Sequence, residues 1–191
     1  MSLELLSTIA AVGTFVVIAA TAIAAIIQLR HLRSSNQISA IGGVQAAIES
    51  AEFEAARRFI QNDLPRLMRE PHFAERAEKR VLDNELSPVQ LIGNVYESLG
   101  IFCKYGIIDK AVACDLFSGP ILSSWTALIP FLAIRRRCLD APALWENFEF
   151  LAVLCEDFEM RHPDGAYPKW ARRINIGESD PARPPQTLNR Q

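Results

Sequence analysis

The sequence lacks the residue patterns on which common catalytic and metal sites depend. It has no glycine-rich phosphate loop, no Gly-x-Ser-x-Gly motif and no His-Glu-x-x-His pair. The cysteines form no Cys-x-x-Cys pair, so we expect reduced thiols packed as small hydrophobes at Cys103, Cys114, Cys138 and Cys155. We therefore predict no catalytic residue, no cofactor and no metal site.

An excess of positive charge is also missing. The 22 Asp and Glu residues outnumber the 20 Lys and Arg residues, which gives a net charge of -2. A nucleic-acid binder needs a basic surface to neutralise phosphates, so no nucleic-acid partner is expected. His31, His72 and His162 lie beside an apolar run or at predicted helix ends, where histidines are usually solvated.

No segment alternates apolar and polar residues between hairpin turns, so the sequence predicts no β-sheet. The expected fold class is all-α: a single N-terminal transmembrane helix followed by a four- or five-helix cytoplasmic bundle. We divide the chain into an anchor with its basic flank (1–33), a helical domain (34–162) and a proline-rich tail (163–191). The tail shows no apolar periodicity and is expected to be disordered.

The longest uncharged run, Leu5–Leu29, consists mainly of Ala, Val, Ile, Leu and Phe. As a helix it would measure about 37 Å, enough to cross a hydrocarbon core of about 30 Å with some tilt. A signal peptide would need basic residues before a shorter run, and a soluble core helix of this length would show a polar face. No Lys or Arg precedes the run, whereas Arg30 and Arg33 follow it. Positive charge stays in the cytoplasm, so we expect the N-terminus outside and the domain inside.

A second uncharged stretch, Leu116–Ile134, is followed by the three arginines Arg135–Arg137. As a second span it would carry these arginines to the wrong side of the membrane, and it contains Pro120 and Pro130. We interpret it as the central buried helix of the domain. A helix lying on the bilayer surface is the alternative.

Polar residues recur at seven-residue intervals within the anchor, at Ser7, Thr14, Thr21 and Gln28. Small residues beside this seam would let another helix approach and form hydrogen bonds across the contact. The pattern predicts a homo-oligomer or a membrane-protein partner held through the transmembrane helix. The alternative is that the hydroxyl groups bond to carbonyls of their own helix.

Apolar spacing, prolines and capping residues predict the helices of the domain. We expect an N-cap at 34–36 and a bend or weak point in the helix at Gly42–Gly43. The predicted helical segments are Val44–Asn62, Phe73–Asn84 (mostly exposed), Ser87–Gly106, Asp109–Leu116, Ser118–Ile134 with a kink at Pro130, and Asp140–Glu159.

Acidic residues gather at the start of the last predicted helix, where they suit the helix dipole. A metal site built from them would need matched ligands on facing helices, so we prefer a structural interpretation. We predict a charge network formed by Arg135, Arg136, Arg137, Glu146 and Glu149.

Glu97 lies off the apolar face of its predicted helix, on a ridge that it shares with Gly93 and Gly100. Two glycines seven residues apart leave a shallow trough, at a cost of about 1 kcal/mol each relative to alanine. We expect the trough to receive another helix or a partner, with Glu97 as its polar anchor. An exposed face with tolerated glycines and a ligand site are the alternatives.

The segment Tyr167–Arg173 mixes two aromatic residues with three cations, although Pro168 interrupts it. Such a composition suits anionic lipid headgroups close to the anchor.

Several sequence motifs occur in a defined order: Tyr96–Asp109, then Trp125, then Arg135–Arg137 and Trp145–Ala152. Together they resemble an uncharacterised family of small bacterial proteins with one N-terminal transmembrane helix and a helical cytoplasmic domain. The resemblance extends from about residue 5 to residue 160 and implies a location in the bacterial inner membrane. Its motifs concern packing and imply no functional residues.

Two functional hypotheses follow. The first is a membrane-anchored interaction module, a regulatory or accessory subunit without catalysis of its own. The second is a membrane-tethered enzyme or ligand sensor that uses Glu97 or the pair Glu146 and Glu149. The second hypothesis requires these carboxylates to converge in a concave pocket.

Overall fold

The computed structural model describes residues 3–173, except for the side chains at 4–6, 8–11, 33 and 34. These residues form seven α-helices and a short 3-10 turn, with no β-strand in the described range, so the all-α prediction is confirmed. The helices are α1 (Leu3–Ile48), α2 (Ala51–Asn62), α3 (Leu64–Leu67), α4 (Phe73–Glu78), α5 (Ser87–Lys104), α6 (Lys110–Cys138) and α7 (Glu146–Arg161).

Helix α1 is one continuous rod of 46 residues, about 69 Å long at the standard rise. It passes through 34–36 and through Gly42–Gly43 without interruption, so the predicted N-cap and bend are wrong. Ile41 and Val44, on either side of the glycines, pack against the bundle. This burial offsets the low helix propensity of the glycines.

The helix predicted over Val44–Asn62 is divided in two at Glu49 and Ser50. The Ser50 hydroxyl donates to the carbonyl of Ala47 at 2.7 Å and accepts from the backbone N–H of Phe53 at 3.1 Å. Ser50 therefore caps α2 by satisfying an N–H of its first turn. The apolar spacing continues across this junction, which is why it predicted one helix.

The segment Phe73–Asn84 is not the single exposed helix that we predicted. It contains only the short α4, on which Phe73 and Ala77 are buried, and the start of the 3-10 turn at Asn84–Leu86. The connecting loop is held by side chains instead, because Arg76 donates to Asp83 at 2.9 and 3.1 Å.

The bundle consists of α2, α5, α6 and α7, with α5 at its centre. Aromatic rings join the helices: Tyr96 of α5 lies 5.6 Å from Phe53 of α2 and 5.0 Å from Phe148 of α7. Trp125 of α6 meets the same Phe148 at 5.0 Å. Each such pair adds about 0.5–1.5 kcal/mol to the gain from burial.

Helix α6 unites the two segments predicted at Asp109–Leu116 and from Ser118 onwards. Asp109 caps it, as predicted, by accepting from the N–H groups of Ala111 and Val112. Pro120 does not begin a helix here, since burial of the residues around it outweighs the missing hydrogen bond. The uncharged stretch is a helix of the domain, although α5 rather than α6 is central.

Helix α7 begins at Glu146, later than the predicted Asp140. The guanidinium of Arg136 donates to the carbonyl of Leu144 at 2.8 and 3.0 Å, which holds residues 141–145 in turns. Trp145 adopts a left-handed conformation, with φ 54°, at the entrance to the helix.

Residues 163–173, which we assigned to the tail, form a compact turn after α7. Tyr167 Oη donates to the carbonyl of Arg172 at 3.0 Å, and Arg173 donates to the carbonyl of Asp164 at 2.7 Å. The remainder of the predicted tail, 174–191, lies outside the described residues.

Candidate functional site

The apolar half of α1 projects away from the bundle. Between Val12 and Leu32 its large apolar side chains are 50–72% exposed. Two helices of the described chain are long and apolar enough to cross a membrane, α1 and α6, but the most apolar stretch of α1 is 0% buried and that of α6 is 33% buried. An exposed apolar surface of this extent marks an interaction with a membrane or a protein.

The predicted seam lies on this exposed surface. The side chains of Ser7, Thr14, Thr21 and Gln28 are all exposed. Thr21 Oγ1 donates to the carbonyl of Val17 at 2.8 Å, a bond within its own helix. A Ser or Thr hydroxyl retains its acceptor lone pairs in such a bond, so it can still accept from a neighbouring helix.

The ridge of Gly93, Glu97 and Gly100 lies under the N-terminal end of α7. A Cβ on Gly93 would lie 2.1 Å from the ring of Trp145, and a Cβ on Gly100 would lie 2.0 Å from the carbonyl oxygen of Asn147. Both contacts are far too close for a methyl group, so glycine is required at both positions. The trough receives a helix of the same chain.

Glu97 binds the exposed N–H end of α7. Its Oε2 accepts from the backbone N–H of Phe148 at 2.8 Å, and its Oε1 accepts from Nδ2 of Asn147 at 2.7 Å. N–H groups in the first turn of a helix have no partner within that helix, and a carboxylate there also suits the helix dipole. Glu97 of α5 therefore acts as a cap for α7.

Arg135 is not part of a charge network with the glutamates. It is 7% exposed, and its guanidinium donates to the carbonyl of Ala77 in the last turn of α4 and to those of Lys79 and Arg80 after it. Burial lowers the pKa of its guanidinium. Arg135 satisfies the free carbonyl groups at the end of α4, a role that the sequence alone did not indicate.

The other predicted charges have separate partners. Arg136 pairs with Glu149, with 2.7 Å between Nη2 and Oε2. Glu146 pairs with Lys104, with 3.7 Å between Oε1 and Nζ. Arg137 is exposed. Of the five predicted residues, the structure thus joins Arg136 and Glu149.

The carboxylates on which the enzyme hypothesis depends do not converge in a pocket. Glu97 accepts a hydrogen bond from the backbone of α7. Glu146 and Glu149 are exposed, and they pair with Lys104 and Arg136 respectively. Among residues 3–173, no three His, Cys, Asp or Glu side chains are placed to hold a metal ion.

The sequence did not predict that two hydroxyl groups, those of Tyr96 and Ser124, are buried in the core. Tyr96 and Ser124 are fully buried, and neither hydroxyl has a hydrogen-bond partner of good geometry in the described part of the chain. Burial raises the pKa of Tyr96 to about 12, and the nearby Ser124 hydroxyl opposes this shift in part. The available signal was weak, because Ser124 is one of three serines in α6 and only its position on the apolar face sets it apart.

Three buried cysteines come from α5, α6 and α7. Cys155 donates to Cys114 across a distance of 3.4 Å between the sulfur atoms. Burial raises the pKa of Cys103 to about 12. These thiols pack as small hydrophobes, as the cysteine spacing predicted.

Comparison with known proteins assigns the chain to a family. Residues 15–153 match the family described as Domain of unknown function (DUF4760). The match begins within the apolar stretch of α1 and ends within α7, so it joins α1 and the bundle in one unit. No curated protein and no solved structure matches the chain. Because the match covers well over half of the chain, the protein belongs to the DUF4760 family.

Proposed function

We propose that the protein is a single-pass protein of a bacterial inner membrane, with its N-terminus outside and its bundle in the cytoplasm. In this arrangement the bundle is a regulatory or accessory interaction module without catalysis of its own. The exposed apolar surface of α1 supports insertion into a bilayer. Arg30 and Arg33, which follow the apolar run, support the orientation.

The observation that carries the proposal is the continuity of α1. The same helix runs from the apolar stretch to Ile41, Val44 and Ile48, which pack against the bundle. A helix without a break cannot rotate or tilt at one end alone. Association or rotation of α1 in the membrane would therefore reposition the bundle in the cytoplasm, as a regulatory subunit requires.

The contacts of the carboxylates favour an interaction module over a tethered enzyme. A catalytic carboxylate needs access to a substrate in a pocket. Glu97 is instead bound to α7, and Glu149 is bound to Arg136. These contacts hold the bundle together and leave its outer surfaces for partners.

The partner is expected at the seam of α1, as a second copy of this chain or another membrane protein. A hydrogen bond between transmembrane helices contributes about 0.6–2 kcal/mol. Replacing Thr14 and Thr21 with leucine should weaken self-association by about 3- to 30-fold for each bond lost. Energy transfer between labelled chains in vesicles would measure this.

A matched control replaces Val16 and Ile23 with leucine, since these residues lie on the other side of α1. The control variant should associate like the wild type. Unchanged association of the threonine variant would remove the seam as a self-association surface. Affinity purification of the detergent-solubilised wild-type and threonine variants would then show whether another membrane protein depends on the same residues.

A further inference from the structure

One end of the bundle carries most of the exposed apolar side chains outside α1. We call it the basic end and define it by residues 105–116, between α5 and the start of α6, and by the turn 167–173. Asp115 and Tyr167 line the same hollow, so these two segments are neighbours. The exposed apolar side chains of this end are Tyr105, Ile107, Val112, Leu116, Tyr167 and Trp170.

The turn 167–173 presents an aromatic ring together with cations. Trp170 is 89% exposed, and Lys169, Arg172 and Arg173 around it are exposed too. No acidic residue occurs between 166 and 173, and the nearest acidic residues, Asp115 and Asp164, line the hollow beside the turn. Tryptophan prefers the boundary between headgroups and acyl chains, and clustered Lys and Arg bind anionic headgroups.

We propose that the basic end docks on the anionic headgroups of the membrane that holds α1. Trp170 enters the interface, and Lys169, Arg172 and Arg173 bind lipid phosphates. This inference rests on the proposed function, because it requires α1 to lie in that membrane. Residues 154–173 lie beyond the family match, so the docking is proposed for this chain alone.

The basic end lies at the C-terminal end of α5, the helix against which α1 packs. Phe53 near the start of α2 meets Tyr96, whereas Asp63 after its end lines a groove with Ser87 and Pro88, so α2 is antiparallel to α5. Helices α1 and α2 share few contacts, so α1 does not fold back along α2.

The distance along α1 also agrees with docking. Residues 39–47 of α1 lie beside residues 91–102 of α5. From Arg30, where the charged residues begin, to Ser39 the helix rises about 13 Å. The headgroup layer occupies about 5–7 Å of this distance on each side of the hydrocarbon core. About 6–8 Å of α1 then separates the headgroup layer from Ser39, the first residue of α1 beside α5.

The test uses the full-length chain in lipid nanodiscs with brominated acyl chains, which quench tryptophan at the interface. One set of discs contains phosphatidylcholine alone, and the other also contains phosphatidylglycerol. The difference between wild type and Trp170→Phe isolates the emission of Trp170 from that of Trp125 and Trp145. We expect Trp170 to be quenched and blue-shifted in anionic discs and much less so in neutral discs.

Charge removal provides the matched comparison. Replacing Lys169 and Arg172 with glutamine should shift the docking equilibrium by about fivefold for each cation removed, and Arg173 is kept because it donates to the carbonyl of Asp164. A control replaces two other exposed cations, Arg69 and Arg80, with glutamine. The carbonyl of Arg80 binds Arg135 near the other end of α6, about 40 Å from the basic end. The control should leave the quenching of Trp170 unchanged.

The outcomes separate the two proposals. A chain that does not co-elute with the discs after detergent removal contradicts the membrane anchor itself. A chain that co-elutes while Trp170 stays unquenched in both lipids contradicts docking and leaves the anchor intact. Equal quenching in neutral and anionic discs overturns the assignment to anionic headgroups.

Discussion

Helices α1 and α6 are both long and apolar enough to span a membrane, yet the chain uses them differently. The large apolar side chains of α1 are exposed from Val12 to Leu32, whereas α6 buries one face against α4 and α7. Arg135, near the end of α6, finds its hydrogen bonds inside the domain. Hydropathy alone therefore does not distinguish these two helices; the exposure of their apolar side chains does.

The largest expected effect is the loss of membrane association when a charge is placed in the apolar part of α1; the same change in α6 serves as the comparison. Arginine near the centre of a membrane span costs about 2.5–3.5 kcal/mol on insertion scales. We expect Val17→Arg to reduce the fraction of the protein that resists alkaline extraction from membranes. Ile129→Arg, on the exposed face of α6, should leave extraction unchanged. Loss of membrane association in the second variant would show that α6 also contacts lipid.

The second-largest effect is expected from disturbing the close packing of α5 against α7, a kind of contact that the described apolar part of α1 does not make in this structure. Gly100→Ala places a methyl group 2.0 Å from the carbonyl oxygen of Asn147, so α5 and α7 must separate. We expect the free energy of unfolding to fall by about 1–3 kcal/mol, measured by denaturant titration of the solubilised chain. Gly119→Ala has open space around it and should raise stability by about 0.5–1 kcal/mol. Equal effects of the two changes would exclude close packing at Gly100.

Glu97→Gln tests the cap that α5 provides for α7. The neutral amide keeps one acceptor oxygen but loses the charge beside the helix N-terminus and a charge-assisted bond. We expect a loss of about 1–2 kcal/mol in the free energy of unfolding. Glu156→Gln, exposed on α7, should change stability by less than about 0.5 kcal/mol. Similar losses in both variants would mean that Glu97 has no special role.

The smallest effect is electrostatic and depends on pH. The side-chain hydrogen bond from Arg76 holds the pKa of Asp83 below its usual range. A carboxyl group whose pKa falls on folding adds stability above its unfolded pKa, about 3.9, and that contribution is lost as the pH falls through the folded pKa. Asp83→Asn should therefore cost about 0.5–1 kcal/mol near neutral pH. In urea titrations the difference from wild type should vanish in strong acid; a constant difference would contradict the pairing.

Local signals in the sequence predicted much of the fold. The apolar face of α5 and the cap at Asp109 depend on residues close together in the chain, and both are present. The trough of Gly93 and Gly100 was also visible from spacing alone. What spacing could not supply was the identity of the helix that fills it, since α7 lies about 50 residues further along the chain.

The errors at the end of α4 and at the start of α7 share a physical cause. Arg135 and Arg136 satisfy carbonyl groups of distant or irregular segments, and this ends α4 early and delays the start of α7. Such bonds depend on the tertiary fold, so helix propensity does not reveal them. Ser50 is different, because its capping position was readable from the sequence and the continuous apolar pattern obscured it.

The most direct test of the membrane arrangement is labelling with a membrane-impermeant maleimide. Single cysteines would replace Ser2 and Val81, the latter 80% exposed, in a Cys138→Ser background because Cys138 is half-buried. We expect intact cells to label the cysteine at position 2, and the cysteine at position 81 to react only after the membrane is opened. Labelling of position 81 in intact cells, or of position 2 only after lysis, would contradict an N-terminus outside and a bundle in the cytoplasm.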